Sequence, residues 1–550
     1  MKYSFFLIAA LLGFSTTVFG QYQKISRDLL NVDPNSNVDV IVQFKKHPRA
    51  VYSQKVIKLG GVLKRELQHV GAGSYLLPAA TLQALAADPD VAFISPNRKV
   101  HMLLDNTTAA VNAPAAWNLG WDGSGIGVAV IDSGISAHDD LQSALGSRIV
   151  FRASFVAGNA RDYYGHGEHV AGILAGDATD SLCANCTRHF TGLAPNAKLI
   201  DLRVLDANGE GSDISVIAAI DEAIALKPLY NIRVINLSLG RPVYESYTLD
   251  PLCQAVEAAW QAGIVVVVAA GNEGRNNSAG NNGYGTITAP ANDPYVITVG
   301  AMKSLGTPQR TDDVVASYSS KGPTQVDHIV KPDLVAPGNL VVSLLSPDGN
   351  LSTLYPQNSV PLSYYQSTNS TQPSSSYFTL SGTSMAAPVV SGAAALLLQA
   401  HPNLTPDQVK ARLMRTAYKT FPTTSTAYDP TTGQSYTSEY NVFTIGAGYL
   451  DIQAVLADHT AFTGQALSPQ ATLDSQSGAY IVCSSNSICA NQSIWGTQSI
   501  WGTQVILPDQ SIWGTQSIWG TQSIWGTQSI WGTTTTDTTD PMSVMINGEN

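Results

Sequence analysis

The chain has 550 residues, more than one ordinary domain holds and enough for two or three. Apolar residues make up 44% and charged residues 13%, which supplies a sizeable core and excludes disorder driven by charge over most of the length. A net charge of −11 argues against a nucleic-acid partner.

Residues 1–20 begin with Lys2, continue through an apolar run over 5–12 that extends to Phe19, and end in small residues near Gly20. This is the pattern of a secretory signal cleaved after Gly20, and the run is short for a bilayer span. No other stretch is read as a membrane span. The expected location is therefore secreted or extracellular, with cell-surface association open.

Residues 21–105 alternate strand-like and helix-like pieces: strands over 38–44, 62–67, 73–78 and 91–96, helices over 48–59 and 79–87. They predict a compact α+β unit. The segment holds eleven basic and seven acidic side chains, against eighteen and twenty-five over 106–419. A basic piece followed by an acidic one suggests that the first docks on the second.

Residues 106–459 have an α/β rhythm. Near-continuous Val/Ile runs over 127–131, 198–204, 233–238, 264–269 and 295–299 predict strands buried on both faces, as in a parallel sheet covered by helices. Helices are predicted over 213–225, 252–262, 389–400 and 405–416. Five cysteines fit an oxidising destination. Cys183 with Cys186, and Cys483 with Cys489, read as two local disulfides, with a four-cysteine metal site as the rival. Cys253, on an apolar helix, reads as a buried free thiol.

After 459 the composition turns to Ser, Thr and Gln. Residues 460–491 read as a linker carrying a cysteine pair. The hexapeptide Gln-Ser-Ile-Trp-Gly-Thr then occurs six times within 492–533 and holds six of the nine tryptophans. An even period would place every Trp on one face of an extended strand. The repeat reads either as a spacer or as an aromatic strip that stacks on itself, on glycan or on the main domain. Residues 534–550 read as disordered.

Within the α/β region, the first strand stops at Asp132-Ser133-Gly134, and residues 164–169 read Tyr-Gly-His-Gly-Glu-His. Residues 271–274 read Gly-Asn-Glu-Gly, and residues 380–388 read Leu-Ser-Gly-Thr-Ser-Met-Ala-Ala-Pro ahead of an Ala-rich helix. Taken alone, Ser384 is as well explained as a helix cap. An acid, a histidine and a serine in the order Asp132, His166, Ser384 suggest a hydroxyl activated by a base that an acid orients.

These blocks resemble the signatures of the subtilisin-like serine proteases (subtilases, peptidase S8 family), over about 112–457. The resemblance implies a three-layer αβα catalytic domain over 106–459 with a mostly parallel sheet. It implies a secreted serine endopeptidase made as a zymogen, with 21–105 as an inhibitor I9-type propeptide that acts as intramolecular inhibitor. An independent N-terminal binding module is the other reading of 21–105. Asp132, His166 and Ser384 would be catalytic, with His169 structural and Asn272 the oxyanion donor beside the Ser384 N–H. Residues 236–240 resemble the strand that pairs with the substrate backbone. Ser238, Leu239, Gly240, Gly271 and Glu273 would bind polypeptide substrates, with broad specificity and large apolar residues preferred before the scissile bond. Glu273 would also admit Lys or Arg. The block departs from the family pattern at Glu168, where Thr is usual; its carboxylate is expected to raise the histidine's pKa or to contact substrate. Asp140 resembles a calcium ligand, although the loop that would complete such a site is replaced by 177–191 with its cysteine pair. A monomer is expected. The alternative function is a surface adhesion protein in which the repeats carry the activity and the protease is processing gear.

Overall fold

The structure is a computed structural model. It describes residues 24–26, 29, 32–34, 36–45, 50–67, 71–96, 106–143, 146–278, 280–429, 433–473, 480–481, 505–506 and 541–549. The signal, the 97–105 junction, Cys483, Cys489 and the hexapeptide repeats lie outside these residues. The chain divides into two compact units, Met1–His101 and Met102–Asn550.

The first unit is an antiparallel sheet with two helices. Strands β1 (Asn37–Phe44), β2 (Val62–Leu67), β3 (Ala72–Pro78) and β4 (Val91–Pro96) lie in the order β2–β3–β1–β4. In β1 the residues Val40, Val42 and Phe44 are buried while their neighbours are not, the period-two signature of a strand with one face on a core. Helices α1 (Ala50–Lys58) and α2 (Leu82–Ala86) contribute Val56, Leu82 and Leu85 to that core, beside Tyr75 and Ile94. The helix expected over 79–87 is split: Ala79–Thr81 is a 3₁₀ turn.

The second unit is built on an eight-stranded sheet. Strands β5 (Gly127–Asp132), β6 (Ile149–Ser154), β7 (Lys198–Arg203), β8 (Ile232–Leu237), β9 (Val265–Ala269) and β10 (Ile297–Lys303) are mutually parallel, in the order β10–β9–β8–β5–β7–β6. Leu334–Pro337 adds a parallel pairing to β10 and Val314–Val315 an antiparallel one. All of β5 and β9 is buried, as their unbroken apolar runs require.

Helices cover both faces. Helix α3 (His166–Ala175) packs against the long helix α6 (Thr383–Ala400) on one, and α4 (Asp213–Tyr230) against α5 (Pro251–Gln261) on the other. Helix α6 is long and apolar enough to cross a membrane, contrary to the expectation that only the N-terminal run is apolar on that scale; here 83% of it is buried in the protein. The winding of the chain reverses between β5 and β8, and in open α/β sheets ligand sites collect at the carboxyl ends of strands at such a point.

The tail differs from expectation at two places. Residues 460–471 are packed rather than linker-like: Phe462, Ala466 and Ser468 are buried, and the Ser468 hydroxyl donates to Asp333 at 2.5 Å. Residues 534–550 are not disordered throughout. Pro541–Asn547 is a helix, and Val544, Met545, Ile546 and Glu549 are buried, because this short piece puts its apolar face into the main core.

Candidate active site

Asp132 ends β5, and His166 opens α3. The Asp132 Oδ1 atom accepts from His166 Nδ1 at 2.7 Å and from the Ser133 N–H at 2.7 Å. Both side chains are buried. Two glycines allow the approach. Gly134 has φ +109°, and a Cβ there would sit 2.6 Å from the Ala160 carbonyl; a Cβ on Gly167 would sit 2.2 Å from the Gly134 carbonyl. Burial pulls the imidazole pKa down, but the Asp132 carboxylate outweighs it, and Asp162 adds to the rise, so His166 titrates above its ordinary value.

Asp162 is a residue that sequence reasoning missed. Its carboxylate accepts from the N–H groups of Tyr164 (3.1 Å), Gly165 (2.7 Å) and Glu168 (2.8 Å) and from the Ser133 hydroxyl (2.8 Å). It thereby holds the free N–H end of α3 and ties it to the Asp132 turn. Ser133 completes the tie by accepting from the Gly167 N–H at 2.8 Å. The only signal in the sequence is an acid a few residues ahead of a helix.

Ser384 stands in the first turn of α6. Its hydroxyl donates to the Ser238 carbonyl at 3.0 Å, while the Ser238 hydroxyl donates to the Ser384 carbonyl at 2.8 Å. In this rotamer the hydroxyl is turned to β8's exit strand and makes no hydrogen bond to His166. Ser238 is thus a clamp on the nucleophile's turn. It is held in turn by Asn236 Nδ2 at 3.0 Å, whose Oδ1 accepts from Ser391 at 2.8 Å.

Asn272 follows β9. Its Oδ1 accepts from the Thr383 N–H at 2.9 Å and the Thr383 hydroxyl at 3.1 Å. With the carbonyl end engaged, the Nδ2 end faces Gly382, where a Cβ would lie 3.0 Å away. Gly382 has φ +140°, a conformation that favours glycine. The Thr383 hydroxyl is set by the Gly271 N–H, which donates to it at 3.1 Å.

A cavity of about 470 Å³ opens beside Ser384 and Asn272. Leu239, Gly240, Gly271 and Glu273 line it, with Val243, Ala269 and Ile287 supplying much of its apolar wall. Ser238 does not line it but stands behind the wall. Arg241, unremarked in the sequence, also lines it; its guanidinium is fixed by Asp213 at 2.9 Å and Asp250 at 2.8 Å.

Glu168 does something other than expected. Its carboxyl group accepts the Ser136 N–H and is fully buried, away from solvent, and the charges that raise the His166 pKa are those of Asp132 and Asp162. Burial, with the charge of Asp162, pushes its pKa up to about 8. His169 is buried, its Nε2 against the carbonyls of Val341 and Phe378, both at 3.1 Å, and burial pulls its pKa down to about 3. It is structural.

Asp140 is engaged by donors of the protein itself. Its two oxygens accept from the Asp180 N–H at 2.7 Å and the Tyr377 hydroxyl at 2.8 Å, and burial pushes its pKa up to about 6. The cluster with His138 and Asp180 offers one imidazole and two carboxylates, where calcium takes 6–8 oxygens. The neighbouring loop carries a Cys183–Cys186 disulfide with Cα atoms 5.0 Å apart. Cys253 is buried and free, its thiol pKa pushed up by burial.

A parallel α/β sheet whose strand ends gather an acid–histidine pair, a helix-start serine and a side-chain amide around an apolar cavity belongs to the hydrolase class. The comparisons narrow this. The subtilase family profile matches residues 123–448. Serine protease AprX of Bacillus subtilis (strain 168) is 38% identical over 345 residues, covering 61% of this chain and 71% of that protein. Subtilisin E of the same organism is 35% identical over 388 residues, 68% of this chain and 84% of that protein. The alkaline protease of Alkalihalobacillus alcalophilus is 34% identical over 360 residues, 64% and 76% respectively. The chain belongs to the subtilase family, and it is a serine endopeptidase.

Proposed function

We propose that Asp132, His166 and Ser384 carry the peptide hydrolysis, with Asn272 and the Ser384 N–H as the oxyanion donors. The observation that carries this reading is the 2.7 Å contact between Asp132 and His166 Nδ1, which leaves Nε2 to act as base. Attack begins when the Ser384 hydroxyl leaves the Ser238 carbonyl and gives its proton to His166 Nε2. Asp132 stabilises the imidazolium that forms, and the imidazolium then protonates the leaving amine. The oxyanion is met by Asn272 Nδ2, aimed by Thr383, and by the Ser384 N–H in the first turn of α6.

Substrate enters as an extended strand along 238–240, with a large apolar side chain in the cavity beside Ser384. Leu239, Val243, Ala269 and Ile287 favour that occupant. Glu273 on the lining admits Lys or Arg as well.

The protein is secreted, and residues 21–105 act as an inhibitory propeptide removed by the enzyme itself. The basic balance of that segment against the acidic balance of 106–419 supports the pairing. The disulfide and the hydrogen bond from the Asp180 N–H to Asp140 stiffen the 177–191 loop in place of a calcium ion. The adhesion alternative finds no support in the comparisons.

Mass spectrometry of the secreted chain, unaltered against Ser384→Ala, tests the reading. The unaltered protein should lose the first unit and the variant should retain it. Identical mature ends in both would overturn self-processing, and casein hydrolysis by the variant would overturn the assignment of the nucleophile.

A further inference from the structure

The described tail segment Pro541–Glu549 is held with more care than a chance contact would need. Glu549 is 3% exposed, and a buried carboxylate is costly unless paired and hydrogen-bonded. Here its Oε2 meets Arg275 Nη2 at 3.0 Å, the Ser317 N–H at 2.9 Å and the Ser317 hydroxyl at 2.5 Å. Arg275 is itself buried, and it also pairs with Asp429 at 3.2 Å.

Asn339 reads the backbone of the same residue in both directions. Its Nδ2 donates to the Glu549 carbonyl at 2.7 Å, and its Oδ1 accepts from the Glu549 N–H at 2.8 Å. Upstream, Asn358 Nδ2 donates to the Ile546 carbonyl at 2.6 Å and the Ser381 N–H to the Met545 carbonyl at 2.9 Å. Val544, Met545 and Ile546 join the core that contains α6. A slip of one residue would withdraw the carboxylate from Arg275 and mispair Asn339, so the register is fixed.

We infer that the catalytic unit contains a receptor site for a short peptide of defined chemistry, an apolar helical turn followed by a glutamate, and that Pro541–Glu549 of this chain is its ligand. The site lies beside the catalytic elements. Ser381 is three residues before Ser384, and Met542 Sδ is 3.8 Å from the hydroxyl of Tyr164, two residues before His166. None of the tail residues lines the apolar cavity.

Connectivity gives this site a purpose. At the other end of the tail, the Ala471 N–H donates to the His328 carbonyl at 2.8 Å and Gln470 Nε2 to the Asp327 carbonyl at 3.0 Å. Residues 472–540, with all six hexapeptides, therefore leave and rejoin the same body. This inference does not depend on the roles assigned to Asp132, His166 and Ser384.

The test uses the full chain with Ser384→Ala, so that it stays intact, and a site for a specific protease inserted at 507–509. After cutting, the C-terminal piece should co-elute with the body in size exclusion, and Glu549→Lys should release it. Hydrogen exchange supplies the second readout. The Gly548 and Glu549 amides should exchange at least about 100-fold more slowly than an unstructured peptide, and Glu549→Lys should abolish this while β5 stays protected. Release of the piece from the chain with Glu549 intact, or unstructured exchange rates at 548 and 549, would overturn the inference. If Glu549→Lys fails to fold, these two measurements on the chain with Glu549 intact decide alone.

Discussion

Asn272 is aimed by losing the freedom of its other end. Thr383 occupies its carbonyl oxygen through two donors, so the amide nitrogen has one orientation, which in the proposed oxyanion role leaves it no reorganisation to make when charge develops. Asn272→Ala should lower kcat by roughly 10²–10³-fold with little change in KM, the loss that one oxyanion-hole donor costs in subtilisin itself. Steady-state kinetics on a peptide amide checks this; an equal loss in KM alone would mean the amide binds substrate only. Glu168 gives a pH prediction. Its carboxyl stays protonated in the folded chain up to about pH 8, whereas in the unfolded chain it ionises near its ordinary 4.5. Between those values the folded state holds the extra proton, so stability falls as pH rises, by up to about 1.4 kcal/mol per pH unit. Glu168→Gln keeps an acceptor for the Ser136 N–H and removes the titration. Its melting temperature relative to the parent should climb from pH 5 to pH 8, and a constant difference would contradict the burial argument. The role of Glu168 was not legible beforehand. Spacing places it two residues from the histidine, but only the fold shows that Ser136 folds back over it.

At the scale of elements, the sequence carried what depends on local pattern. Unbroken apolar runs predicted β5, β7, β8 and β9, and Asp132, His166, Asn272 and Ser384 sit at element ends where short motifs survive. What it did not carry was any arrangement assembled from several segments. Asp162 takes donors from the 133 turn and the start of α3. Ser238 reads as a substrate wall by position, yet its hydroxyl serves α6. The 177–191 loop is the clearest case, because Asp140 matches a ligand pattern while its oxygens are taken by Tyr377 and Asp180. A chelator should therefore leave thermal inactivation of this region unchanged. Cys183→Ser with Cys186→Ser should lower stability by about 2 kcal/mol, the loop-closure value for so short a ring. Calorimetry with and without chelator checks both. A marked fall in melting temperature on chelation, reversed by calcium, would contradict the donor-set argument.

For the whole molecule, composition and motif order placed the catalytic body, while its limits were set by packing that no local signal announces. The chain packs on the body through 471, where Ser468 reaches the buried Asp333 and Lys410, and again over 541–549. The short tail helix is ordered by a core it reaches only in the folded state. The central claim, that one serine is activated by one acid-oriented histidine, is tested most directly by labelling with an organophosphonate that mimics the tetrahedral intermediate. The account predicts a single adduct on Ser384. Its labelling rate should rise with pH through an inflection above 6.5, since Asp132 holds the His166 pKa up, and should collapse in His166→Ala. An adduct on another residue, or an unchanged rate in that variant, would contradict it.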